Sequence, residues 1–491
     1  MGALADMLVD AGHDVTVLYN EMNPDVHIVG TKKAKTLSVP ASEEVKAYFH
    51  GDGYISDTWT MVTANPLAQR SLNVAYGEAI AAQCVNLVKN HSGVLEQLRR
   101  ERFDILLHEV MDYCQLGIMQ AAGIKSHVFF QSAVFLDGVA EAVGISTNPS
   151  LIPSFFATAG EEMTLWERVV NSIQVYMSKE YSRIMYVIEE RAFQEYMGDD
   201  FVPFQDLIDQ ATFVITNSDP FLDFPRPIIS KVYDLGGMCV KEPKPLDRMW
   251  TDILAKRDTT VLIAFGSIVK SYTMPSNMKT ALVDTFARFP DVTFIWKYET
   301  NDTLFLQGAQ NVYAAPWIPQ NDLLNHPSVK LFIMHGGMNS IHEAAHRGVP
   351  LVVVPQCADQ MRNAKMIARL GNGVDFDRFD LNDADKISEV IRKVLNEKSY
   401  SKTAERVALM IKNRPINQTT SFLRLVEFAA KFGPVPSMTS LAPRTTLIAY
   451  FMLDAIALFF FTIICLGVIL YYSVKSVFVY VSNRKRKIKE Q

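Results

Sequence analysis

Trp317-Ile-Pro-Gln320-Asn-Asp-Leu-Leu-Asn-His-Pro327, then a short apolar run, then His335-Gly336-Gly337-Met338-Asn339-Ser340-Ile-His-Glu343, then Gly348-Val-Pro350, a second apolar run and Asp359-Gln360: this stretch decides the fold. The runs Leu331–Met334 and Leu351–Val354 are continuously apolar rather than alternating, which is how strands buried on both faces of a parallel sheet read. Between them lies a Gly-Gly turn and a segment of helical pattern that begins near Asn339 or Ser340. Strand, tight turn, helix and strand make a βαβ unit.

Working outward, the same kind of run recurs. Val15–Tyr19, Ile105–His108, His127–Gln131, Phe213–Thr216, Val261–Phe265, Thr293–Lys297 and Val312–Ala314 are expected strands, with helical stretches between them. A chain of 491 residues exceeds one ordinary core, so two soluble domains are expected. The Gly-, Pro- and Lys-rich run Gly236-Gly-Met-Cys-Val-Lys-Glu-Pro-Lys-Pro245 marks the break between them. The reading is therefore an α/β chain with a Rossmann-like domain over 1–235, a linker over 236–250 and a second Rossmann-like domain over 251–440. Glu161–Asp200 stands apart as a long helical segment rich in Met, Tyr, Ile and Val. It suits a cap on an apolar pocket, a membrane-surface helix, or ordinary packing on a core.

The carboxyl end is apolar from Leu447 to Tyr480, with Asp454 and Lys475 as its only charges. A bilayer needs a helix of about 20 such residues, and Ala455–Tyr472 fits best, so 447–480 is expected to be a transmembrane region with its core at 455–472. The basic tail 481–491 should remain cytosolic and everything before the span lumenal or extracellular. Lys487 and Lys489 are spaced like a dilysine retrieval signal of endoplasmic-reticulum membrane proteins. Sequons at Asn90, Asn301 and Asn417 are compatible with a lumenal glycoprotein. The net charge of −5 is spread along the chain, and no nucleic-acid surface is expected. Five scattered cysteines without CxxC predict neither a disulfide framework nor a cysteine metal site.

The chemistry of the opening stretch can be read piece by piece. A Gly-Gly turn lets backbone approach a ligand closely. The free N–H groups and dipole of the following helix favour a diphosphate. His335 at the strand end can donate to the same phosphates, and a carboxylate at Glu343 can accept two ribose hydroxyls. Trp317 offers a flat face to a base. Asp359 and Gln360 return to the same carboxyl edge, where open α/β sheets bind ligands.

Together these residues closely resemble the signature of the UDP-glycosyltransferase family, the animal UDP-glucuronosyltransferases in particular. The likeness extends to Ala11-Gly-His-Asp-Val-Thr-Val-Leu18 and to the terminal span. It implies the GT-B arrangement of two facing Rossmann domains, with acceptor in the first and UDP-sugar in the second. It implies Trp317 against uracil with Gln320 on its edge, His335, Asn339 and Ser340 around the diphosphate beside the Gly336-Gly337 turn, Glu343 on the ribose, Asp359 and Gln360 on the transferred sugar, and Ser267 as a further phosphate or sugar contact. The implied reaction is inverting, from UDP-glucuronate or UDP-glucose to a hydroxyl of a small lipophilic acceptor. UDP-sugar is a co-substrate; no separate cofactor and no metal is called for, and homo- or hetero-oligomers are compatible with the family.

The orienting carboxylate of the family matches Glu109, with Asp112 as a second candidate. No histidine is named as the base. The chain opens in a helix, Gly2–Ala11, with neither a preceding strand nor a secretory signal, so the expectation is that its natural first strand and the loop bearing the catalytic histidine are missing. A catalytically inactive UDP-binding membrane protein is the first alternative. His342-Glu343-Ala-Ala-His346 also matches the HExxH zinc-protease pattern. The extended motif and the distal glutamate are missing, and a strand-turn-helix context suits phosphate better than zinc.

Overall fold

The computed structural model describes residues 1–22, 30–50, 58–60, 66–267 and 269–489. Residues 1–439 form one compact unit and 440–491 a second.

The first unit contains three parallel sheets. β1 (Thr16–Asn20) pairs with β2 (Lys35–Val39). β3 (Leu106–Glu109), β4 (His127–Gln131), β5 (Phe213–Thr216) and β6 (Val232–Asp234) form a four-stranded sheet in that order. β7 (Thr259–Ala264), β8 (Val292–Lys297), β9 (Val312–Ala315), β10 (Val329–Met334), β11 (Leu351–Val353) and β12 (Gly373–Asp375) form a six-stranded sheet ordered β12-β11-β10-β7-β8-β9. Every pairing is parallel. In the large sheet the order reverses between β7 and β10, which creates the crevice at which open α/β sheets hold ligands.

The apolar runs do what their composition demands. Residues 261–264 of β7 and all of β8 are buried, with Trp296 fully enclosed. The expected strands are present, with ends moved by at most two residues. β2, β6 and β12 were not anticipated. Each borders its sheet; β6 and β12 have three residues, β12 opens on glycine, and β2 exposes Lys35, Thr36 and Ser38, so none carries an apolar run.

The helix after β10 spans Met338–Arg347, one or two residues earlier than the sequence suggested. Met338, Ile341, Ala344 and Ala345 face the core, so the 3.6-residue period turns Ser340 and Glu343 the other way. The helix stops at Gly348, whose φ of +68° suits a residue without a Cβ. The long helix runs Leu165–Met197 and starts from a Thr164/Glu167 capping box. Its inner face, including Val175, Tyr181, Met185 and Phe193, is buried, while Trp166 and Tyr176 remain exposed. The expected linker is free of helix and strand over 236–247, but a helix capped by Asp247 already begins at Arg248.

One expectation is overturned. Cys84 and Cys114 are disulfide-bonded, 30 residues apart in sequence. The pairing joins the helix Pro66–Asn90 to the first residue of the helix Cys114–Ala121, both buried. Sequence spacing carries no trace of it, because packing of those helices alone brings the two Sγ atoms together.

In the second unit, the helix Leu453–Lys489 contains a segment, Leu453–Arg486, long and apolar enough by length and composition to cross a membrane. The final two residues, 490 and 491, lie outside the described residues, as does the side chain of Lys487.

Candidate functional site

The crevice between β7 and β10 opens onto a cavity of about 570 Å³ whose lining includes Ser267, Lys297, Trp317, Gln320, Ser340 and Glu343. Trp317 is 69% exposed, leaving an indole face open, and the Lys297 ammonium lies 5.2 Å from its ring centre. On the opposite side the Gln320 Nε2 donates to Glu343 Oε2 at 2.6 Å and to Ser340 Oγ at 3.1 Å. Burial raises the Glu343 pKa, and the Gln320 hydrogen bond only partly offsets this.

The helix start beside the cavity carries no side-chain cap; its N-cap residue is Gly337. The first-turn N–H groups therefore keep their donor capacity, at the positive end of the dipole. Gly336, at φ +95°, packs against Val353 and the backbone of Gln360. The His335 ring fills the space between the two turns: a Cβ on Gly266 would come within 2.9 Å of it and one on Gly337 within 2.5 Å. Those two glycines let the loops after β7 and β10 close onto the same imidazole. Burial, reinforced by the Lys297 cation, lowers the His335 pKa to about 4, so the ring is neutral at pH 7. Its Nδ1 is buried without a hydrogen-bond partner among the described residues.

A lowered histidine pKa has a stability sign. Unfolding at a pH between about 4 and the ordinary value of about 6.5 takes up a proton at this ring, so stability falls as pH drops through that window. Compared with His335→Gln, the parent protein should lose about 1.4 kcal/mol of extra stability per pH unit there. Denaturant titrations of both proteins at two pH values test this; parallel losses would show that His335 does not carry the effect.

Asn339, Asp359 and Gln360 do not line the cavity. The Asn217 Nδ2 of the other sheet donates to Asn339 Oδ1 at 3.0 Å and to the Ser132 carbonyl at 2.8 Å. Asp359 is buried, which raises its pKa to about 6. It accepts from Asn363 Nδ2, and that same nitrogen donates to the Gly336 carbonyl, tying the carboxylate to the glycine turn. The Gln360 side-chain oxygen accepts from the backbone N–H groups of Gln356 and Cys357.

The two carboxylates singled out in the first sheet have different settings. Glu109, at the end of β3, accepts from the Ser132 backbone N–H at 3.0 Å, and burial raises its pKa to about 7. Through Ser132 and Asn217 it is linked to Asn339 at the helix start. Asp112 is buried away from this chain. Burial raises its pKa to about 6, and its neighbour Glu189, on the long helix, is raised further by burial and by the Asp112 charge. His108 is paired with His127 at 3.0 Å. The His127 Nε2 donates to the Leu207 carbonyl, so its Nδ1 accepts from His108 and both rings are neutral. The HExxH residues diverge: His342 Nε2 donates to the Asn217 carbonyl, His346 Nδ1 to the His342 carbonyl, and Glu343 faces Gln320.

Sequence reasoning passed over Lys297 and Asn217. A lysine closing the apolar strand Val-Thr-Phe-Ile-Trp-Lys297 was a usable signal, since it must emerge at the carboxyl edge. Asn217 had none.

A family model described as UDP-glucoronosyl and UDP-glucosyl transferase matches residues 1–490. The chain belongs to the UDP-glycosyltransferase family. Putative UDP-glucuronosyltransferase ugt-48 of Caenorhabditis elegans is 26% identical over 463 residues, covering 93% of this chain and 88% of the relative. UDP-glucuronosyltransferase 3A1 of Bos taurus is 28% identical over 429 residues, covering 85% and 79%. Among solved structures, Phytolacca americana UGT2, complexed with UDP-2fluoro-glucose and pterostilbene, superimposes with a TM-score of 0.57 at 15% identity, covering 87% of this chain and 95% of that one. Os79 from O. sativa in complex with UDP gives 0.54 at 16% identity, covering 88% and 96%. The four- and six-stranded sheets of this UDP-glycosyltransferase are thus those of a GT-B fold.

Proposed function

We propose that this UDP-glycosyltransferase moves a hexosyl group, glucuronate or glucose, from its UDP conjugate to a hydroxyl of a small lipophilic acceptor, with inversion at the anomeric carbon. The observation that carries the reading is the grouping of Trp317, Gln320, Ser340 and Glu343 around one cavity beside an uncapped helix start. Uracil lies on the open Trp317 face with its edge toward Gln320. The ribose hydroxyls donate to Glu343. The diphosphate takes the helix N–H groups, Ser340 and a neutral His335 N–H, with Ser267 and Asn339 at its margins. Asp359 and Gln360, after β11, meet the transferred sugar.

Departure of UDP is helped by donors already fixed in place, which stabilise developing charge without reorganisation. The acceptor oxygen attacks the anomeric carbon as the bond to UDP breaks, and its proton passes to a base oriented by Glu109. A carboxyl with a pKa near 7 suits that environment. The plant relative's complex with pterostilbene supports a lipophilic acceptor here. A span at Leu453–Arg486, with the basic tail read as cytosolic, supports a lumenal catalytic unit. The Cys84–Cys114 bond fits the oxidising side of an endoplasmic-reticulum membrane.

The full chain in phospholipid nanodiscs, given UDP-glucuronate or UDP-glucose and a phenol, should form the β-linked product by mass spectrometry and anomeric NMR coupling. UDP binding by calorimetry without product would instead identify a nucleotide-binding protein without turnover. Absence of UDP binding would remove the site.

A further inference from the structure

A second concavity, of about 760 Å³, shares no residue with the first. It runs along β6, the edge strand of the four-stranded sheet. One wall is the helix Gln418–Phe432, whose residues Gln418, Ser421, Leu425 and Phe428 recur at helical spacing and form its face toward the groove. Facing them are Phe213 of β5, with ring centres 5.5 Å from Tyr233 and 5.6 Å from Phe428. Phe221 and Ile416 close one side. Phe428 is 41% and Ile416 66% exposed. An apolar concavity of this volume is in the range that holds small molecules.

Its polar groups are few, and they are not balanced. Asp219 is buried and taken by Arg414, whose Nη2 donates to Oδ2 at 2.7 Å. The Asp234 carboxyl accepts from Thr216 Oγ1. Gln418 is 9% exposed, and its Nε2, buried, donates to nothing among the described residues. A buried donor without an acceptor is destabilising, and a ligand oxygen that reaches it relieves that cost. Arg424, exposed on the same helix, forms no ion pair among the described residues. An acceptor-bearing anionic head against Gln418 and Arg424, with an alkyl chain along Phe213, Tyr233 and Phe428, answers all of these features.

We propose that this groove binds a single-chain amphiphile with a carboxylate head, of fatty-acid type, at a site separate from the sugar-nucleotide cavity. The carboxylate lies between Gln418 Nε2 and the Arg424 guanidinium, and the chain lies along the aromatic wall.

The test uses dansyl-undecanoate titrated into the full chain in phosphatidylcholine nanodiscs, with empty discs subtracted. Saturable fluorescence enhancement is expected, displaced by dodecanoate and not by dodecyltrimethylammonium. Arg424→Glu should weaken binding about tenfold or more, Arg424→Lys much less, and Gln418→Leu by a similar factor to Arg424→Glu. UDP affinity should stay unchanged in all three, which shows that the variants fold. No saturable signal above empty discs overturns the proposal. So does equal displacement by the cationic amphiphile, or binding insensitive to Arg424→Glu, which would place the probe elsewhere.

Discussion

Replacing Glu343 by alanine should reduce UDP-sugar turnover by at least about a hundredfold, because two hydrogen bonds from ribose hydroxyls to a charged acceptor disappear at once and each contributes about 1.5–3 kcal/mol. The same change should leave the folded state no less stable. Burial raises the Glu343 pKa, meaning that the fold disfavours its charge, so deleting it removes a penalty. Turnover and thermal unfolding measured on one preparation separate the two effects. Glu343→Gln, which keeps one acceptor oxygen beside Gln320, should retain more activity than Glu343→Ala. Unchanged turnover in Glu343→Ala would sink the ribose assignment.

Asp223→Ala should be the most destabilising single change in the crevice region, at about 3–5 kcal/mol. Asp223, after β5, accepts from Arg362 Nη2 across the two sheets, and both side chains are buried. Burial pushes the Asp223 pKa up, yet the Arg362 and Arg226 cations and the Ser218 hydroxyl outweigh it and hold the carboxyl below its usual range. That stability contribution is present above the ordinary aspartate pKa and lost only as pH falls below it. Without Asp223, the Arg362 guanidinium would sit over Phe224, 5.0 Å from the ring centre, with Nε and Nη1 already lacking partners among the described residues. The double variant Asp223→Ala/Arg362→Met should recover most of the loss, because the cost comes from a stranded charge rather than from a missing attraction. Thermal unfolding of the three proteins decides it. A single-variant loss under about 1 kcal/mol would mean that water or another acid reaches Arg362.

Local pattern and tertiary packing divided the work between them. Continuous apolar runs require burial on both faces, and only parallel sheets layered with helices supply it, so the α/β class was legible residue by residue. The Gly336-Gly337 turn and the helix after it were legible for a similar reason: a strand, two glycines and an amphipathic segment admit few conformations. That the carboxyl-terminal helix is long and apolar enough to cross a membrane follows from length and hydropathy alone.

Packing decided the rest. Which of Glu109 and Asp112 belongs to the hydrogen-bonded chain reaching Asn339 depended on where Ser132 and Asn217 arrive, from strands far apart in sequence. The Cys84–Cys114 bond and the Asp223–Arg362 pair, 139 residues apart, depended on long-range contacts too. The sequence by itself determined which segments must be buried and where a strand must turn tightly into a helix, because these are properties of neighbouring residues. Only the tertiary structure could decide partners, charges and cavities, because they are set by groups that meet only after the sheets have assembled.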